Sequence, residues 1–341
     1  VTKPTAIDLF AGAGGATLGL AKAGFRVLGA VEIDPSAAAT HAKNHPDSQL
    51  WESDIRSLRA TSMRRELGLA PGELTLLKTC PPCQGFSSLA SGRGLTDQER
   101  NDLVIHTVRF VRAFLPRAVL LENVPGLSKD ARLAFVRDSL HSLGYATQVY
   151  EFQASRFGVP QRRRRLIMLA VKGKRSALPL DIAELISEFE SAVSVRDTFT
   201  ELRSFARSDD PLDRYRKSSD KVRLRIEAIP EGGGRFDLPE EYQLECHKRL
   251  NKRTATASYG RIKWDGPAPT MTTRCTTPAC GSFLHPEEHR GITLREAASL
   301  QTFPFDYDFE GSYGDIERQI GNAVPVRMAT VLGHAVKRLV F

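Results

Sequence analysis

Short apolar runs and helix-period patterns alternate through the first 170 residues of the chain, as expected of a parallel sheet with crossover helices. Thr5-Ala6-Ile7-Asp8-Leu9-Phe10 reads as a buried strand, followed by Gly12, Gly14 and Gly15 and a helix carrying Leu18, Leu20 and Ala21. Phe25 to Glu32 reads as a second strand, and a helix is predicted from about Pro35 through Ala42, with the proline tolerated in the first turn. Leu74 to Thr79 predicts a strand that runs into Cys80-Pro81-Pro82-Cys83. Leu103, Val104, Val108, Val111, Phe114 and Leu115 recur on one helical face until Pro116 stops it. Ala118 to Leu121 predicts a strand ending at Glu122. Helix Ala131 to Leu143, strand Thr147 to Phe152 and strand Leu166 to Val171 complete an open α/β domain.

From 172 to about 265 the periodicity lapses. Gly232-Gly233-Gly234, scattered prolines and many charges predict a smaller, loop-rich second domain. Met328 to Leu339 predicts an amphipathic helix, with Val331, Leu332, Ala335 and Leu339 on one face, that packs back onto the first domain. The expected division is therefore a first domain of residues 1–171 completed by 305–341, and a second of residues 172–304.

Composition narrows the class. With 341 residues, 41% hydrophobic and 26% charged, the chain is an ordinary globular protein, which excludes disorder, collagen and coiled coil. No apolar run approaches the roughly 18 residues of a membrane span, and Val1-Thr2-Lys3-Pro4 lacks the regions of a signal peptide. A cytoplasmic protein with no membrane partner is expected. The net charge of +8 is local: residues 151–275 hold 25 basic and 18 acidic side chains, and the rest of the chain is close to balance. A basic excess gathered in one segment fits a polyanionic partner better than a uniformly solvated surface does.

The chemistry divides into a ligand half and a thiol half. A strand ending in Phe10-Ala11-Gly12-Ala13-Gly14-Gly15 and opening a helix lets backbone approach a ligand closely. The spacing is not that of a dinucleotide loop, and no Lys-Ser/Thr follows to cradle phosphates. Glu32 falls at the end of the next strand, where a carboxylate accepts ribose hydroxyls. Asp54 either takes an exocyclic adenine amine or caps a helix over Ile55 to Arg59. A nucleoside without a pyrophosphate is implied, and S-adenosylmethionine is the commonest such ligand. The five cysteines have no disulfide-framework spacing. Cys83, at the carboxyl end of a strand, is the candidate nucleophile. Competing readings make Cys80-x-x-Cys83 a redox pair, or half of a zinc site with Cys275 and Cys280, whose spacing is unusual for zinc. Pro286 between His285 and His289 argues against a metal face there, and no metal is expected. Cys80, Cys246, Cys275 and Cys280 are by default packing residues.

These residues resemble the cytosine-5 DNA methyltransferases. The matching motifs are Asp8 to Gly15, Glu32-Ile33-Asp34, Pro82-Cys83-Gln84-Gly85-Phe86-Ser87, Glu122-Asn123-Val124, Gln161 to Arg165, Arg295 to Pro304 and Gln319 to Pro325. The resemblance implies a Rossmann-like S-adenosylmethionine-dependent methyltransferase sheet with a smaller, loop-rich target recognition domain, acting on double-stranded DNA; a monomer is expected because one active site treats one strand at a time. It implies that Cys83 is the nucleophile, that Glu122 holds ring nitrogen 3 and the exocyclic amine of a flipped-out cytosine, and that Arg163 and Arg165 share one face to hold the base carbonyl and orient Glu122. It implies cofactor contacts from Phe10, Gly12, Ala13, Gly14, Glu32, Ile33, Asp54, Ile55, Pro82, Leu103, Asn322, Ala323 and Val324. Gln84, Ser87 and Gln161 are implied on the DNA side. Cys80 departs from the family, which usually has a small residue there, and Ile33 replaces an aromatic found in some members. A tRNA-modifying branch shares the motifs, but its Cys-Phe-Thr sequence is absent from the second domain. A silent binding module typically loses the Cys or the Glu, and both stand here. The motifs carry no information on the recognised sequence or on a cognate restriction endonuclease.

Overall fold

Strands β1 (Thr5–Leu9), β2 (Arg26–Glu32), β3 (Gln49–Glu52), β4 (Leu76–Thr79), β5 (Ala118–Asn123), β6 (Tyr145–Gln153) and β7 (Arg164–Lys172) form one sheet, in the order β3-β2-β1-β4-β5-β7-β6. They belong to a computed structural model that describes residues 3–82, 102–173, 188, 192–205, 209–249 and 257–341. β1, β4 and β5 are buried along nearly their whole length because helices cover both faces, which is why they carry little alternation. β1 to β5 are mutually parallel, but β7 lies antiparallel between β5 and β6, so the sheet is mixed where an all-parallel one was expected. The half-exposed edge strand β3 and the helix Ala60–Glu66 were not anticipated. The helix considered over Ile55 to Arg59 is a turn.

Strand order reverses at β1: the chain builds β2 and β3 on one side and then crosses to β4 and β5 on the other. That reversal opens a crevice at the carboxyl ends of β1 and β4, where open α/β sheets hold their ligands. The helix Gly15–Lys22 leaves the crevice and packs on the last helix, Val326–Val340. A Cβ on Gly19 would stand 2.5 Å from the Val326 carbonyl oxygen, and one on Gly333 would stand 2.6 Å from Ala23 Cβ. The two helices approach this closely because glycine is at both crossings.

Two compact units are present. The first holds Val1–Phe157, Arg164–Glu190 and Val324–Phe341, and the second holds Gly158–Arg163 and Ser191–Ala323. Residues 305–323, expected with the first, belong to the second. Their helix Tyr313–Asn322 carries Glu317, a buried carboxylate that accepts from the Thr276 backbone and hydroxyl at 2.8 and 2.5 Å and pairs with Arg216 at 2.9 Å. Arg295 likewise ties Asp210 to the Tyr307 carbonyl. The second unit is rich in loops, so many backbone carbonyls lack strand partners. The buried Arg261 answers four of them, donating to Ile226, Ile229, His285 and Glu288. A small core of Ile226, Ile229, Leu238, Tyr259 and Leu284 packs around that hub. Among the described residues, no helix is long and apolar enough to cross a membrane.

Candidate active site

Two clusters occupy the carboxyl edge of the sheet in the first unit. The first is a pocket lined by Phe10, Glu32, Ile33, Asp54, Ile55, Pro82 and Leu103, joined by Val31, Ser53 and Arg56, with about 380 Å³ of space open to solvent. Carboxylates at its rim and apolar side chains in its walls give the mixed lining of a ligand site. Each wall is delivered by a strand end: Phe10 follows β1, Glu32 ends β2, Ser53 follows β3 and Pro82 lies three residues past β4.

Glu32 organises this pocket. Its Oε2 accepts from Gly12 N at 2.7 Å, and its Oε1 accepts from Ile33 N and Asp34 N at 2.9 and 2.8 Å. Burial pushes its carboxyl above the ordinary value, against these three N–H donors. A carboxylate oxygen has more than one lone pair, so each can still accept from a ligand hydroxyl. The pull on Gly12 shapes the glycine loop. Gly12 sits at φ 58°, and a Cβ there would meet nothing within 4 Å, so glycine is required by conformation and not by space. Phe10 holds φ 59° without being glycine, a strained geometry that gathers at ligand clamps. Asp34 then caps the helix Pro35–Asn44 through Ser36 N and Ala37 N at 3.0 and 3.2 Å.

Asp54 accepts from Arg56 N at 2.8 Å, and the Arg56 guanidinium clamps both carboxylate oxygens at 2.6 to 3.1 Å. That clamp holds the Asp54 carboxyl below its usual range and fixes it at the pocket rim. Ile33, 58% exposed, forms the opposite lip. Asn322 and Ala323 fall in the second unit, while Val324 packs on Ala16 and Ala329 in the first.

The second cluster surrounds Glu122 at the end of β5. Arg165, the second residue of β7, pairs its Nε with Glu122 Oε1 at 2.7 Å, and both side chains are nearly buried. The Cys80 thiol donates to Glu122 Oε2 at 2.6 Å, and Asn123 Nδ2 donates to the Pro81 carbonyl at 3.1 Å. Beneath both clusters runs a buried polar chain. Asp8 on β1 meets Lys78 on β4 at 2.8 Å and accepts from Thr17 at 2.8 Å, and the Thr17 hydroxyl contacts His41 Nε2 at 3.1 Å. Burial alone would pull Lys78 down, yet the Asp8 carboxylate beside it holds its ammonium above the ordinary value. Burial holds His41 down at about 4, so it is neutral at neutral pH.

Some expected sites are elsewhere. Cys83, Gln84 and Ser87 lie outside the described residues. Arg163 and Arg165 fall in different units and take different partners. β7 starts at Arg164, so strand alternation does not reach Arg163, which is buried and donates to the carbonyls of Met271 and Gly321 at 3.0 and 3.3 Å. Gln161, expected on DNA, has no exposed surface. Its amide donates to Gln301 Oε1 at 2.9 Å and accepts from Met271 N at 2.9 Å, which makes it a tie within the second unit. Cys275 is buried with its thiol pushed up by desolvation, and His285 is buried with Nδ1 accepting from Glu287 N and Glu288 N. Arg56, Lys78 and Thr17 were missed. Only the Asp-x-Arg spacing of Asp54 and Arg56 offered a local signal.

The basic segment also resolves. Arg214 and Arg216 stack on Tyr313, Arg216 pairs with Glu317, and Arg225 donates to the Tyr242 carbonyl. Lys217, Lys221 and Arg223 remain at the surface.

Comparisons with known proteins bear on family and fold. The C-5 cytosine-specific DNA methylase family model matches residues 5–338. The type II methylase M.HgiDII of Herpetosiphon aurantiacus is 34% identical over 350 residues, covering 97% of this chain and 94% of that protein. A solved prophage-encoded protein of E. coli superposes with a TM-score of 0.71 at 28% identity, covering 98% of this chain and 99% of its own. The S. pombe Dnmt2 methyltransferase shares the fold with a TM-score of 0.69 at 19% identity, covering 99% and 98%.

Proposed function

The chain belongs to the C-5 cytosine-specific DNA methylases, and on that premise we propose that it transfers a methyl group from S-adenosylmethionine to carbon 5 of a cytosine extruded from duplex DNA. The observation that carries this reading is the doubly held carboxylate of Glu122, set at the sheet edge one strand away from the segment that leads into Cys83.

The pocket fits the methyl donor. Two fixed carboxylates face it, Glu32 for the ribose hydroxyls and Asp54 for the adenine amine, and Phe10, Ile55, Pro82 and Leu103 supply apolar walls for a purine. Bound there, S-adenosylmethionine supplies an electrophilic methyl group on a sulfonium centre. All other steps fall to the chain. The base leaves the duplex because both its faces are stacked there and its ring atoms are out of reach. Cys83 adds as thiolate to carbon 6, and the displaced electron pair makes carbon 5 an enamine nucleophile. Glu122 accepts from the exocyclic amine and gives a proton to nitrogen 3 as charge builds on the ring, and Arg165 keeps that carboxyl aimed. With the methyl group on carbon 5, loss of the carbon 5 proton to solvent leaves an electron pair that expels the Cys83 thiolate and restores the aromatic ring. Lys217, Lys221 and Arg223 are exposed cations suited to phosphate contacts.

The test is transfer of labelled methyl to unmethylated genomic DNA, beside bulk tRNA and beside Cys83→Ser, with product bases identified by mass spectrometry. 5-Methylcytosine in DNA that vanishes with Cys83→Ser is the expected result. Label confined to tRNA, or absent from both, overturns the reading.

A further inference from the structure

We infer that Cys80 is a positioning residue for Glu122, holding the second carboxylate oxygen so that the carboxyl plane is set before a base arrives. The inference rests on the function proposed above and adds a residue to it. Among the described residues, Arg165 is the partner of Oε1. A carboxyl held at one oxygen can still turn about its last side-chain bond, and terminal torsions of this kind are broad. The Cys80 thiol, donating to Oε2, closes that freedom.

Cys80 is itself well fixed. Its backbone N–H donates to the Leu9 carbonyl at 3.3 Å, which ties it to the central strand β1, and its side chain packs against Ala16, Val324 and Ala329. One residue on, the Pro81 carbonyl accepts from Asn123, the neighbour of Glu122. Two successive residues beyond β4 are thus bonded to two successive residues at the end of β5. This double stitch places the approach to the nucleophile segment in register with the carboxylate. Through Ala16 it also reaches the helix that opens after the glycine loop. The thiol's proton, and not merely its volume, is what the geometry uses: an apolar residue of similar size would fill the space and leave Oε2 without this donor.

Steady-state methyl transfer to DNA by the full chain, with Cys80→Ala and Cys80→Ser alongside, tests this. Cys80→Ala should lower kcat about ten-fold while KM for DNA and for S-adenosylmethionine stays within about two-fold, as for loss of a hydrogen bond to a charged group that acts after binding. Cys80→Ser, whose hydroxyl donates in the same sense, should recover kcat to within about three-fold of the parent. Thermal melting of each variant is read in parallel. An alanine variant as fast as the parent overturns the inference. So does a serine variant no better than alanine when both melt lower, since that pattern marks packing alone. A parent protein that methylates no DNA instead removes the functional reading beneath it, and the two failures are told apart by the parent's own activity.

Discussion

Lys78 and Asp8 face each other from adjacent strands, ammonium to carboxylate at 2.8 Å, with no more than 3% of either side chain exposed. Neither charge can be spared singly. Lys78→Met should lower unfolding free energy by about 3 to 5 kcal/mol, because it leaves the buried Asp8 carboxyl without its ion-pair partner. Lys78→Met combined with Asp8→Leu should recover most of that loss. Urea unfolding of the three proteins at neutral pH checks both statements, and a single variant as stable as the parent contradicts them.

The crossing of the first and last helices makes a contrast among glycines. Gly19→Ala forces a Cβ against the Val326 carbonyl and should cost about 1 to 3 kcal/mol through overpacking. Gly314→Ala, in the first turn of a helix with open space around it, should be neutral or stabilise by up to about 1 kcal/mol. Melting temperatures of the two variants should move in opposite directions, or Gly314→Ala should leave the parent value unchanged.

Glu32 gives the methyl donor a pH dependence. Burial raises its carboxyl, so protonation sets in at higher pH than for an exposed glutamate. A protonated carboxyl loses acceptor capacity toward the ribose hydroxyls. KM for S-adenosylmethionine should therefore rise as pH falls from neutral toward that raised value and stay level on the alkaline side. Glu32→Gln should show a KM roughly ten-fold higher and flat across the same acidic range. A parent protein with a flat profile contradicts the role.

His41 sets an acid limit on the fold. Burial, with His45 adding to it, holds the imidazole at about 4 in the folded chain against an unfolded value of 6.5. Between those values the unfolded chain binds more protons, so stability falls as pH drops through that window. The loss attributable to His41 should be about 2 kcal/mol between pH 7 and pH 5. His41→Gln, less stable at pH 7, should lose correspondingly less on acidification when urea midpoints are compared at the two pH values.

The buried strands were readable because burial on both faces leaves an unbroken apolar run, as in Ala118-Val119-Leu120-Leu121. β3 was not, since Gln49-Leu50-Trp51-Glu52 is a half-exposed edge of four residues with little pattern to detect. β6 and β7 were visible as strands, but their antiparallel pairing depends on how residues 154–163 turn, which periodicity does not encode. Strand-end placement pointed to Phe10 and Glu32, which line the pocket, while Asp54 was singled out without the strand β3 that precedes it. It found neither the Arg56 clamp nor the Cys80 contact with Glu122, 42 residues away, because such partners are chosen by tertiary packing. The same limit applies to Arg163 and Arg165, alike in sequence and separated by where β7 begins.

The close crossing of the first and last helices also has a consequence for biosynthesis. Lys337 donates to the Ala23 carbonyl across 314 residues of chain, and the surface around Gly19 receives its cover from Val326 and Ala329. At about 5 to 20 residues per second, a ribosome leaves that surface bare for roughly 15 to 60 s. The nascent first unit is thus born with one helix face open, and its closure waits on the final fifteen-residue helix. Slower translation lengthens the interval during which a chaperone, or another nascent chain, can take the place of Val326–Val340.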